Sequence, residues 1–149
     1  DFREIFPGVY FSGEIPRVND FEDVGGKGKF KVLENNEFID DMIPDDAALV
    51  IDHSDGLVIM SGCAHSGVIN IIDYAMKRTG RTRILAFIGG THLLDAGQER
   101  LDKTVKALKE YDIRKLAVCH CTGFHAEAFL YNTLPGMVGK AEAGSRFSF

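Results

Sequence analysis

Long apolar runs and blocks of basic residues are both missing from this chain. No stretch approaches the roughly 20 apolar residues of a membrane-crossing helix, and no secretory leader is visible. The 17 Lys and Arg are outnumbered by 22 Asp and Glu, for a formal net charge of −5. The positive stretches are short, so there is no electrostatic footprint for nucleic acid. There are three Cys, an odd number in no disulfide-scaffold spacing, which fits a reduced, cytoplasmic protein. Cys119 and Cys121 stand too close in sequence for an unstrained disulfide at a strand end. There is no internal repeat. The Gly25-Gly-Lys-Gly-Lys29 stretch lacks the Gly-x4-Gly-Lys-Ser/Thr spacing of a phosphate-binding loop. The first residue is Asp rather than Met, and the chain reads as a fragment or a processed product.

What is present suits one domain over residues 1–149. The sequence is 45% hydrophobic and 26% charged, enough to bury a core. Residues 19–45 read as a flexible loop, with an acidic, Gly- and Lys-rich stretch from Asp20 to Lys31 read as a long loop or mobile hairpin. Val9–Ser12 is a short strand candidate. From Asp45 onward the pattern is regular. Ala47–Asp52 and Leu57–Gly62 are strands joined by a His53-Ser-Asp-Gly56 turn. Val68–Arg78 is a helix with Val68, Ile71, Ile72 and Ala75 on one face. Ile84–Ile88 is a strand covered on both faces. Asp95-Ala-Gly-Gln98 resembles a capping box opening a helix that runs through Glu110, with Leu101, Val105 and Leu108 as its stripe. Leu116–Cys119 is a strand. Thr122 is placed to N-cap a helix over Phe124–Thr133, ended by Pro135-Gly136. Ser145–Phe149 is a candidate edge strand.

Three histidines follow the apolar runs: His65 in Ser61-Gly-Cys-Ala-His-Ser-Gly67, His92 in Gly89-Gly-Thr-His-Leu93, and His120 in Cys119-His-Cys-Thr-Gly123. Parallel strands in an open α/β sheet bring their carboxyl ends to one edge, where ligands bind. Strand ends place imidazoles rigidly, and the flanking glycines permit tight turns and close backbone approach. Together they suggest one site for Zn²⁺ or a similar cation, with room for water, and helix starts that suit an anionic substrate. Cys63 reads equally as a ligand or as a small buried hydrophobe. Strand alternation points Cys119 and Cys121 away from the side that His120 uses, so both read as buried rather than ligating. His53 reads as a solvated turn residue, His125 as exposed or supporting, and Asp45 and Asp46 as turn acids.

These three histidine segments, in order and spacing, together with Gly13-Glu-Ile-Pro-Arg17 and Asp45-Asp-Ala-Ala-Leu49, resemble the C-terminal half of metallo-β-lactamase-fold proteins. The branch is the metal-dependent hydrolases labelled dihydropterin ribofuranosyl-aminobenzene-phosphate synthase-like. The resemblance implies an α/β fold, half of an αββα sandwich with a mixed sheet and helices on one face. It implies a metal cofactor, zinc or else iron or manganese, in a site that is incomplete in this chain. His120 matches the last ligand histidine of the family. Cys63 stands where the superfamily places a bridging Asp, and His65 takes the ligand role beside it; His92 is a ligand or binds substrate. The superfamily's His-x-His-x-Asp-His signature is missing, since the sequence contains no His-x-His. The implied activity is hydrolysis, a metal-bound hydroxide attacking an ester or phosphoester, with His65, His120 and His92 on the metal. Arg17, Glu14 and Thr122 are the candidates for binding a small anionic substrate, Arg17 by bidentate contact and Thr122 at a helix start. The alternative is a non-catalytic half-domain or subunit. A half sandwich leaves an apolar sheet face open, so the expected partner is a second copy or a complementary N-terminal half carrying the missing motif. A redox protein using Cys119 and Cys121 is a third class.

Overall fold

Pro7 and Gly8 turn the chain back on itself, with Gly8 at φ 73°. They pair β1 (Arg3–Phe6) with β2 (Val9–Phe11) in antiparallel register. The computed structural model describes residues 1–23, 28 and 30–149. β3 (Lys31–Glu34) and β4 (Glu37–Asp40) form a separate two-stranded hairpin. Its turn is Asn35-Asn36, both at positive φ, a backbone that Asn tolerates well. Within the stretch expected to be a loop, residues 31–40 are thus a hairpin. Most of Gly25-Gly-Lys-Gly-Lys29 lies outside the described residues.

The main sheet continues through β5 (Ala48–His53) and β6 (Gly56–Ser61), antiparallel across the Asp55-Gly56 turn. α1 (Val68–Thr79) crosses over to β7 (Arg83–Gly89), parallel to β6. α2 (Gln98–Leu108), the two-residue β8 (Asp112–Ile113) and β9 (Leu116–Val118) follow. A 3₁₀ turn (His120–Thr122), α3 (Phe124–Thr133) and β10 (Val138–Lys140) complete the order. The strands lie β1-β2-β5-β6-β7-β9-β10, with β8 beside β7. The β7, β9 and β10 pairings are parallel, so their carboxyl ends share one edge with that of β6.

Several expectations are corrected here. Gly97, not Asp95, is the N-cap of α2, and no side chain caps it. Gly123, not Thr122, is the N-cap of α3. Ser145–Phe149 forms no strand; the last strand is β10, whose register on β9 pairs Val138 with Leu116.

The core lies on one sheet face. Val50, Ile59, Phe87, Leu116 and Val118 pack with Ile71, Ile72 and Ala75 of α1, Leu101, Val105 and Leu108 of α2, and Leu130 of α3. The opposite face carries a smaller cluster of Val58, Leu85 and Ala86 against Ile51 and Ile88, with no helical residue in it. Strand register places Phe11, Leu49, Met60, Ile88 and Ala117 in one row across that face. Phe11, Leu49 and Met60 are 36%, 36% and 41% exposed. The sheet is therefore mixed, with its helices on one side.

Candidate metal centre

The loops after β6, β7 and β9 meet at the carboxyl edge. Gly90 donates its N–H to the Gly62 carbonyl at 2.9 Å, and Leu93 and Leu94 both donate to the Cys121 carbonyl. Thr91 Oγ1 donates to Thr122 Oγ1 at 3.0 Å, and Thr122 Oγ1 donates to the Cys119 carbonyl at 2.8 Å. Hydroxyls thus tie the β7 loop to the 3₁₀ turn after β9.

Within this frame Cys63 Sγ lies 3.1 Å from His120 Nε2. The Cys121 thiol donates to the Cys63 carbonyl at 3.0 Å. The ligand atoms of Cys63, His120 and Cys121 all fall within 4.8 Å of one another, and among the described residues this is the group close enough to share a cation. His65 and His92 form a second pair beside it, ring centroids 4.3 Å apart. Ala64, His92 and His120 have φ of 60°, 51° and 53°. Left-handed backbone at non-glycine residues costs about 1–3 kcal/mol each and gathers at functional sites.

The structure corrects the reading of Cys121. Strand alternation does not reach it, because β9 ends at Val118 and His120–Thr122 is a 3₁₀ turn entered through a left-handed His120. The turn carries Cys121 back to the side of His120. Burial pushes the Cys121 thiol up to about 11, and burial raises Cys119 as well. Without a bound cation the Cys121 sulfur is therefore a protonated thiol at neutral pH. A cation lying on it takes the place of that proton.

The loop before α1 is held from a distance. Asp46 Oδ2 accepts from the Ser66 N–H at 2.8 Å. The buried Glu22 carboxylate accepts from the N–H groups of Ile69 and Asn70, both at 2.9 Å, and from the Asn19 amide. Asn70 Oδ1 in turn accepts from the N–H of Val18. Gly67 sits at φ 97°, and a Cβ there would collide with the Glu22 carboxylate. Burial raises Glu22 above the usual carboxylate range against the pull of these hydrogen bonds. Glu22 was not singled out in the sequence, since its partners in α1, Ile69 and Asn70, lie almost fifty residues away.

No family model matches the chain. It is 36% identical over 148 residues to the 7,8-dihydropterin-6-methyl-4-(β-D-ribofuranosyl)-aminobenzene-5′-phosphate synthase of Methanocaldococcus jannaschii, covering 97% of this chain and 50% of that protein. It is 31% identical over 135 residues to the uncharacterized protein MJ0448 of the same organism, covering 89% of this chain and 48% of that one. The chain thus spans about half the length of the relatives it matches. The crystal structure of Tm1679, a metal-dependent hydrolase of the β-lactamase superfamily, superposes with a TM-score of 0.84 at 29% identity, over 99% of this chain and 56% of that one. The chain has half of a metallo-β-lactamase fold.

In this metallo-β-lactamase half, the residues expected at the site divide into groups. His120 joins Cys63 and Cys121, and His65 joins His92. A cleft of about 580 Å³ opens beside them, lined by His92 and Cys121 together with Asp20, Leu94, Gly97 and Arg100 among others. Glu14, Arg17 and Thr122 do not line it. Glu14 is exposed elsewhere. The Arg17 guanidinium donates to the Ile43 carbonyl at 3.0 Å. Thr122 is fully buried, with its hydroxyl bonded to the two loops and its N–H donated to Cys119. Its role is to hold the loops together, since neither group is left to meet a substrate. Among the described residues no helix is long and apolar enough to cross a membrane.

Proposed function

We propose that this chain is the part of a metal-dependent hydrolase that carries Cys63, His120 and Cys121 as metal ligands, acting on a small anionic ester or phosphoester once the rest of the fold covers its helix-free sheet face. The observation that carries the reading is the donor group itself, two sulfurs and an imidazole nitrogen within 4.8 Å. That donor chemistry fits a metal. Thiolate and imidazole suit zinc or iron, whereas manganese favours oxygen ligands. When bound, such a cation polarises substrate oxygens and makes water nucleophilic near neutral pH. The chain's own residues supply the frame. Cys63 and Cys121 offer two negative charges once deprotonated. Thr91 and Thr122 keep the loops that bear the donors in register. His65 lies beside His92, ring centroids 4.3 Å apart, and His92, which lines the cleft, is placed to contact the substrate. The likeness to Tm1679, a metal-dependent hydrolase, supports the reading.

Metal analysis by mass spectrometry after dialysis against zinc is the test. The expected result is zinc retained by the wild type and lost in His120→Ala and Cys63→Ser. Zinc binding should also release protons and tighten as pH rises, because the Cys121 thiol starts near 11. A wild-type chain that holds no zinc, or a His120→Ala variant that holds it equally well, would sink the proposal.

A second reading, a binding half without turnover of its own, is favoured by the exposed apolar row Phe11, Leu49 and Met60. Zinc binding without hydrolysis in the isolated chain, and hydrolysis on adding the remaining half of a relative, separates the two.

A further inference from the structure

The two sulfurs of the donor group are also a reactive pair. Cys63 and Cys121 come from different loops, 58 residues apart in the sequence, yet their sulfurs fall within 4.8 Å of one another. Both are free thiols. The Cys121 thiol donates to the Cys63 carbonyl at 3.0 Å, so its side chain already lies against the Cys63 backbone. A disulfide needs sulfurs about 2 Å apart, and side-chain rotation is what remains to be made. Gly90 keeps the gap clear. A Cβ there would meet Cys121 Sγ at 2.7 Å and the Cys63 Cα at 3.2 Å.

Their surroundings divide the roles. Cys63 is partly exposed and lies 3.1 Å from Nε2 of the exposed His120. An imidazole that takes the proton of a neighbouring thiol leaves the better nucleophile. Cys121 lines the cleft and keeps its S–H on the Cys63 carbonyl. An accessible thiol with a second thiol poised beside it is the arrangement that peroxide converts to a disulfide rather than to higher oxides. Cys119 is outside the group, and its spacing from Cys121 opposes a bond between those two.

We infer that Cys63 is a site of oxidation by peroxide, and that Cys121 then closes a disulfide on it, taking both sulfur donors from the metal centre at once. The Cys63 sulfur attacks one oxygen of hydrogen peroxide and the O–O bond breaks. His120 takes the thiol proton and passes it to the leaving hydroxide, giving water and Cys63 sulfenic acid. The Cys121 sulfur attacks the sulfenic sulfur and the S–O bond breaks. Its proton joins the departing hydroxide as a second water. Two thiols lose two electrons and one peroxide gains them. The disulfide stands on the sulfur pair itself; release of the cation rests on the metal reading above.

The test treats the metal-free full chain with one equivalent of hydrogen peroxide and maps its peptides by mass spectrometry without reduction. The expected result is a Cys63–Cys121 link within one chain, with loss of two of the three free thiols and their return on adding dithiothreitol. In Cys121→Ser the reaction should stop at Cys63 sulfenic acid, captured with dimedone. Cys119→Ser should behave as the wild type. A link through Cys119, a link between chains, Cys63 oxidised without a link, or three thiols retained each overturns the site. The zinc-loaded chain, given the same treatment, should release zinc to a chromophoric chelator in step with the link, and zinc retained by the linked chain overturns the release. A chain that forms the link but never holds zinc overturns the metal reading alone; one that holds zinc and forms no link overturns this site alone.

Discussion

Gly90 is where the donor loops touch. Its N–H bonds the Gly62 carbonyl, and a Cβ at this position would lie 2.7 Å from Cys121 Sγ and 3.2 Å from the Cys63 Cα. Backbone packed this closely tolerates no side chain, so Gly90→Ala should push the two cysteine loops apart. The expected outcome is zinc affinity reduced about tenfold or more, in the range seen when groups supporting a ligand are altered, with secondary structure retained. Competition with a chromophoric chelator, alongside circular dichroism, measures both. Equal affinity in Gly90→Ala would mean that the spacing of the sulfurs is set elsewhere. His120 was singled out at this scale because it follows the apolar run Leu116–Val118, and the structure brings it within reach of Cys63. Cys121 was not, because its direction depends on a three-residue turn and on one left-handed φ, neither of which has a periodic signal.

At the scale of elements, α1 is a helix whose N-terminus is completed by another part of the chain. Its sequence carries no acid in the first turn and its N-cap is Gly67; Glu22 supplies the missing acceptor. Glu22→Gln keeps the shape but sets an amide donor against N–H groups, and should cost about 1–3 kcal/mol by chemical denaturation. The pH dependence has a definite sign. Burial holds the folded Glu22 above its unfolded value, so the folded state binds the extra proton between the two. Its contribution to stability is full below the unfolded value and is lost as pH rises through the folded one. Glu22→Gln should flatten that part of the stability–pH curve; an unaltered slope would remove Glu22 as its source. The helix spans were legible because Val68, Ile71, Ile72 and Ala75, and likewise Leu101, Val105 and Leu108, repeat at helical spacing and are buried as the pattern demands. The caps were not. Asp95 and Thr122 have capping chemistry, yet Gly97 and Gly123 occupy the cap positions, and the tie from Glu22 to α1 is a tertiary contact. Short strands such as β1 and β10 escaped as well, since three or four residues leave little room for alternation.

For the whole molecule, the helix-free face sets the terms. Phe11, Leu49 and Met60 stand in one register row and remain partly exposed, and the relatives are about twice as long as this chain. The remaining half of the fold, or a second copy, is the proposed cover. Light scattering coupled to size exclusion should show association at rising concentration. Met60→Glu should abolish it while changing unfolding free energy by less than about 0.5 kcal/mol at dilutions where the wild type is monomeric, as surface substitutions do. A wild-type chain that stays monomeric throughout would count against the cover. The half-sandwich architecture was legible from the order of the three histidine motifs, whereas the row that needs covering was not, because register decides which residues share a face. If the cover is a second copy, association adds to the stability of the folded chain by mass action. The melting temperature then climbs with protein concentration, and dilution acts on this chain in the same direction as heat.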